Sequence, residues 1–103
     1  MRKFKKIVNN VINTPIIVTG SSGFIGANLT RELVNQGYEV NLFLREESKT
    51  WRLDDIIRDT IIHLVDLTSE KEVEIAVKKI KPKTIFHLAA YGAYPYQKKC
   101  QKN

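Results

Sequence analysis

Hydrophobic and polar positions alternate in blocks whose period changes along the chain. Phe4, Ile7, Val8, Val11 and Ile12 recur at helical spacing, with Arg2, Lys3, Lys5 and Lys6 on other faces. Residues 1–14 therefore predict a short basic amphipathic helix that stops before Pro15. Ile16, Ile17 and Val18 then form a continuous β-branched run, the pattern of a strand buried on both faces. A glycine-rich turn occupies 20–26. Leu29, Leu33 and Val34 share one face of a predicted helix over 27–36, and Gly37 stands where a left-handed cap would close it. Residues 40–44 predict a second strand. Trp51, Leu53, Ile56 and Ile57 predict a helix within 48–59, and 61–65 a third strand. Ser69 and Glu72 have capping-box spacing and open a helix with the stripe Val73, Ala76, Val77 and Ile80. Pro82 lies just past its end, and 84–88 predict a fourth strand.

This order, β-α-β-α-β-α-β after the N-terminal helix, implies right-handed crossovers and a parallel sheet. The expected class is α/β, with strand order 3-2-1-4. That is a partial Rossmann fold, most of a doubly wound nucleotide-binding sheet. Residues 15–94 form the domain, and 95–103 a basic tail. No internal repeat or interdomain linker interrupts it.

Composition narrows the picture. Leu, Ile, Val and Phe fill 32 of 103 positions, enough for one small core. No apolar run reaches the length of about 18 residues needed to cross a bilayer. The net charge of +6 is misleading as a whole-chain value. Residues 1–13 and 91–103 hold seven bases and no acid, while 14–90 hold ten bases and all eleven acids. A nucleic-acid binder places its basic stripe on the folded body, so that partner is not expected. The N-terminal helix reads as an appendage on the domain surface rather than a membrane anchor. Asn9, Asn10 and Asn13 break the apolar run an export signal requires, so a cytoplasmic location is expected. Cys100 is the single cysteine, and neither His63 nor His87 has a partner at metal-ligand spacing.

The chemistry concentrates at Gly20-Ser21-Ser22-Gly23-Phe24-Ile25-Gly26, between the first strand and first helix. Gly20 can leave the strand through a tight turn, Gly23 lets a pyrophosphate approach the backbone, and Gly26 lets the helix pack closely. The amides near Phe24 and Ile25 would face the phosphates with the positive end of the helix dipole. Ser21 or Ser22 would add a hydroxyl. No Gly-Lys-Ser/Thr follows, so this is not a P-loop.

With Thr19 in front, the G-x-x-G-x-x-G spacing resembles the extended short-chain dehydrogenase/reductase family, which includes the NAD-dependent epimerase/dehydratases. Asp66-Leu67 at the end of the third strand matches the family's acidic residue beside adenine. His87-Leu88-Ala89-Ala90 matches its H-x-A-A run at the inner ribose. The resemblance covers about residues 15–94. It implies cofactor contacts from Gly20, Ser22, Gly23, Phe24, Ile25, Gly26, Asp66, Leu67, Leu88, Ala89 and Ala90. It implies hydride transfer at C4 of a nucleotide-linked hexose as the parent reaction. The tail Ala90-Tyr91-Gly92-Ala93-Tyr94-Pro95-Tyr96 looks closest to the branch that reduces 4-keto groups on CDP-hexoses.

The end of the second strand bears on the choice between NAD and NADP. Leu44 occupies the place of the acid that holds the ribose diol, and Arg45 follows it. Arg45 can bond a 2′-phosphate, which points to NADP. A register shift of one would offer Glu46 or Glu47 to the diol and restore NAD. The family's Tyr-x-x-x-Lys pair belongs on a helix beyond the fourth strand. Tyr94 and Lys98 match it formally, but they come too early and Pro95 interrupts them, so no catalytic residue is assigned. The chain resembles the first part of a larger enzyme: a truncated product, half of a split enzyme or a free-standing cofactor module. With the fourth strand as an edge, self-association or a complementary chain is expected. A nucleotide sugar is expected as a partner only when a C-terminal half completes the site.

Overall fold

The computed structural model describes residues 12–89. Its strands are β1 (Ile16–Thr19), β2 (Val40–Leu44), β3 (Thr60–Leu64) and β4 (Thr84–His87), and its helices are α1 (Phe24–Asn35) and α2 (Glu70–Ile80). All four strands are parallel, in the order β3-β2-β1-β4. The expected Rossmann-type α/β topology is therefore present. Every residue of β1 and β2 is buried, as their apolar runs demand of central strands.

Helices cover both faces of the sheet. Ile16, Val18, Val40, Leu42 and Leu44 pack with Ala27 and Leu33 of α1. The alternate residues Ile17 and Phe43 pack with Val65 and with Ala76 of α2. The two outer strands are less covered, and Ile61, Ile62, Leu64 and Ile85 are exposed.

The helix ends follow from local chemistry. Gly37 adopts φ +94°, and the Gly37 and Tyr38 amides donate to Val34 and Leu33 carbonyls at 2.9 and 3.1 Å. This double bond pattern is the expected glycine cap. Ser69 Oγ accepts the Glu72 amide at 3.2 Å. The other half of the expected capping box is different: the Glu72 carboxylate accepts the Asp66 amide at 3.0 Å. The Ser69 amide is already bonded to the Asp66 carbonyl at 2.9 Å, so Glu72 satisfies the amide at the far end of that turn.

The helix expected within 48–59 is not formed. Two 3₁₀ turns, Trp51–Leu53 and Ile57–Asp59, stand there. The Arg31 guanidinium binds the Asp55 carboxylate at 2.7 and 3.0 Å and the Arg52 carbonyl at 2.5 Å. An α-helix would give that carbonyl to the Ile56 amide, which instead bonds the Leu53 carbonyl. Leu53 and Ile56, three apart, are the buried residues of the segment, a spacing that suits the tighter turn. The N-terminal helix falls outside the described residues except at its end, where 12–14 are bent rather than helical. The tail 95–103 also lies outside them.

Candidate functional site

Register carries the carboxyl ends of all four strands to one edge. Thr19 pairs with Phe43 and with His87, and the Val65 amide donates to the Leu44 carbonyl at 2.8 Å. The glycine turn, Arg45, Asp66 and Leu88-Ala89 therefore leave the sheet side by side. Ligands of open α/β sheets bind at such an edge. Thr19 ties two of these segments together. Its hydroxyl lies 2.7 Å from His87 Nδ1 and accepts the Leu88 amide at 3.1 Å. The Leu88 amide also reaches the Thr19 carbonyl at 3.1 Å. His87 thus has a structural contact with β1.

The three glycines of the turn answer to different constraints. Gly20 has φ +73°, and a Cβ there would meet the Leu88 carbonyl carbon at 2.5 Å. A Cβ on Gly26 would meet the Gly20 carbonyl oxygen at 2.0 Å. Gly26 thus permits close packing against the turn itself, rather than against the strand. Gly23 is unlike both. It has an ordinary φ of −81°, and its added Cβ would meet only the Gly20 oxygen, at 3.5 Å. No atom of the described residues requires glycine there.

Gly23 is the N-cap of α1 and supplies no side-chain bond, and the first turn holds no acid. The Phe24, Ile25 and Gly26 amides come before the first intrahelical bond, which runs from Ala27 to the Gly23 carbonyl at 2.9 Å. Gly23, Phe24 and Ile25 are exposed, so the positive end of the dipole opens to solvent. Such a cradle fits an anionic diphosphate.

The two serines part company. Ser21 is fully buried and its Oγ has no hydrogen-bond partner among the described residues. Ser22 is half-buried, and its carbonyl accepts Arg52 Nη1 at 3.2 Å. Arg52 came from the segment expected to be a helix, and periodicity gave no sign of its reach to the turn.

At the β2 end, Leu44 is buried in the core facing α1. Arg45 forms a turn in which its amide donates to Ser48 Oγ at 2.9 Å and its carbonyl accepts the Ser48 amide at 3.0 Å. Its guanidinium lies 3.7 Å from Glu47. Asp66 Oδ1 accepts the Thr68 amide and hydroxyl at 2.9 and 2.7 Å. These bonds hold its carboxyl below the usual carboxylate range, with a smaller contribution from the nearby Arg45 charge. Leu67 packs partly buried against the α2 core. Ala90, Tyr91, Tyr94, Tyr96 and Lys98 lie outside the described residues.

A separate polar cavity beside Tyr38, Glu39 and Lys83 contains none of these groups. Among the described residues, no three His, Cys, Asp or Glu side chains cluster as a metal site, and no helix is long and apolar enough to cross a membrane.

Comparison with known proteins gives the same picture. The model of the NAD dependent epimerase/dehydratase family matches residues 16–101. The 3-beta-hydroxysteroid dehydrogenase of Mycolicibacterium neoaurum is 40% identical over 75 residues, 73% of this chain and 19% of that protein. The GDP-6-deoxy-D-talose 4-dehydrogenase of Aggregatibacter actinomycetemcomitans is 34% identical over 80 residues, 78% of this chain and 22% of that protein. Among solved structures, a UDP-glucose 4-epimerase with UDP-glucose from Thermotoga maritima superposes with a TM-score of 0.62 at 29% identity. That likeness covers 73% of this chain and 24% of the epimerase. The chain thus spans about a quarter or less of the length of these proteins.

Proposed function

The chain belongs to the NAD dependent epimerase/dehydratase family, and from that footing we propose that it binds a nicotinamide dinucleotide, NADP in preference to NAD, across the carboxyl edge of its sheet. The observation that carries this reading is Gly23, where the fold makes no demand for glycine and the space above the turn is open. A pyrophosphate fills that space and takes the amides of Phe24 and Ile25. Gly20, Ser22 and Gly26 shape the cradle. Asp66 and Leu67 hold adenine. Leu88 and Ala89, with Ala90, border the inner ribose. Arg45 meets the 2′-phosphate, while Leu44, buried and apolar, offers nothing to a ribose diol.

When bound, the dinucleotide supplies or accepts hydride at the substrate carbon. We assign that carbon to C4 of a nucleotide-linked hexose in the complete enzyme, with 4-keto reduction as the reaction. The sugar-nucleotide relatives support this substrate class. The finer likeness to CDP-hexose ketoreductases rests on the run Ala90-Tyr91-Gly92-Ala93-Tyr94-Pro95-Tyr96. Association along β4, with a second copy or a chain that completes the site, belongs to the same proposal and is supported by the exposed Ile85.

Calorimetry of Gly23→Ala and Gly26→Ala with NADPH and NADH tests the reading. Gly23→Ala is expected to fold, with a capping loss of about 1 kcal/mol or less, and to lose both dinucleotides. Gly26→Ala is expected to lose stability itself, because its methyl would strike backbone. Retained affinity in Gly23→Ala would mean that the turn is only structural.

A further inference from the structure

We propose that the apolar stripe Phe4, Ile7, Val8 and Val11 docks on this chain's own sheet, on the shelf beside α1 and over β4. The occupant is residues 1–11, which lie outside the described residues. The family match begins at residue 16, so the family fold does not supply this segment. The proposal does not depend on the dinucleotide reading.

The shelf follows from how α1 sits. Arg31 reaches the Asp55 carboxylate and the Arg52 carbonyl, both on the connection between β2 and β3. That flank of α1 therefore faces β3. Leu29, two residues earlier, lies about 160° away around the helix. It faces β4, which flanks β1 in the order β3-β2-β1-β4. Phe86 of β4 pairs with Val18, a residue of the core under α1, so the two share a face. Ile12, Leu29 and Phe86 are only partly buried against that core. Ile25, one turn before Leu29, is 70% exposed.

The described chain begins at the foot of this shelf. The Ile12 amide donates to Tyr38 Oη at 3.3 Å, just past the end of α1. The Asn13 carbonyl accepts Thr84 Oγ1 at 2.8 Å, at the first residue of β4. Ile12 thus stands between the last turn of α1 and the start of β4. A helix ending there runs alongside α1 and in the same direction, and the short connection 12–15 to β1 is of ordinary length. Residues 1–11 as a helix span about 16 Å, and β4 rises about 10 Å, so the stripe covers the strand from end to end. Positions 4, 7, 8 and 11 recur one turn apart, and Ile12 continues them. Arg2, Lys3, Lys5 and Lys6 fall on the other faces, toward water. Docking leaves the outer edge of β4 free. It also leaves Ile85 free, because Ile85 pairs with Ile17 and belongs to the opposite face.

Methyl and aromatic NMR on the full chain tests the proposal. Nuclear Overhauser contacts are expected from the Ile7, Val8 and Val11 methyls to the Leu29 methyls and the Phe86 ring. An isotope-filtered mixed sample is expected to place them within one molecule. Ile7→Asp with Val8→Asp is expected to remove these contacts and lower the melting midpoint by about 10 °C or more. Lys5→Ser with Lys6→Ser, off the stripe, is expected to keep the contacts and to melt within about 4 °C of the wild type. A folded wild type whose stripe touches neither Leu29 nor Phe86 overturns the proposal, and so do contacts made only between molecules. A free stripe that carries the chain onto phosphatidylglycerol vesicles overturns it as well, and assigns the segment to a membrane surface.

Discussion

Helix α2 begins on Ser69, whose hydroxyl accepts the Glu72 amide, and it carries Glu70 and Glu72 in its first turn. Helix α1 begins on Gly23, with no side-chain cap and no acid in its first turn. Both helices follow a parallel strand and cross the same sheet, so each faces the same need to satisfy its first amides. The second half of the chain meets that need with its own residues. The first half leaves its amides open to solvent, with Arg52 bonded to the Ser22 carbonyl just before them. An open helix end has the character of a binding surface, and a sealed one that of a structural joint.

Exchanging the two designs breaks the contrast most sharply. Gly23→Asp would give α1 the cap and the negative charge that α2 has. We expect the fold to hold or gain about 0.5 kcal/mol. We expect dinucleotide affinity to fall by about a hundredfold or more, near 2.8 kcal/mol, because the carboxylate takes the amides and repels the phosphates. Thermal melting and calorimetry on the same sample separate the two effects. A variant that gains stability and keeps its ligand would show that the open end is not the binding surface.

This contrast was partly legible in the residues. The run Ile16-Ile17-Val18 announced a buried central strand, Gly37 its helix cap and Ser69 the other helix start, because each signal is local. The glycine spacing marked the turn but not the separate duties of its members. Gly20 and Gly26 answer to protein atoms brought close by the fold, whereas Gly23 answers to none. Two features depended on tertiary bonds that no period encodes. Arg31 captured the Arg52 carbonyl and replaced an expected helix with 3₁₀ turns. The same turns delivered Arg52 to Ser22. The burial of Ser21 was hidden too, since either serine looked equally able to offer a hydroxyl.

A smaller change tests the sealed end. Ser69→Ala removes the hydroxyl that accepts the Glu72 amide, and a cap of this kind contributes about 1 kcal/mol. For a domain of this size that corresponds to about 4–8 °C in the melting midpoint. Dinucleotide affinity should stay within about twofold, an energy of about 0.4 kcal/mol. Lost affinity together with lost stability would couple α2 to the site and blur the division between the halves.

The smallest expected effect is a pH dependence carried by the second half. His63 on β3 places Nε2 2.9 Å from Asn41 Oδ1 on β2. Asn41 Nδ2 donates to the Ile16 carbonyl at 3.1 Å, so its oxygen is the acceptor and the ring proton is assigned to Nε2. Phe43 stands edge-on at 6.0 Å. Burial, and then the Lys79 charge from α2, hold the His63 pKa below its usual 6.5. The folded chain thus keeps this ring neutral where the unfolded chain takes up a proton. Stability is full above the unfolded value, declines as pH falls through about 6.5, and levels once pH drops below the folded value. The depressed carboxylates of Asp55 and Asp66 act below 3.8, outside this window. Melting midpoints between about pH 8 and pH 5 should therefore slope downward toward acid. His63→Gln should flatten the slope, and Lys79→Gln should reduce it in part, since desolvation is the larger cause. A slope unchanged in His63→Gln would move the sensitivity to another group.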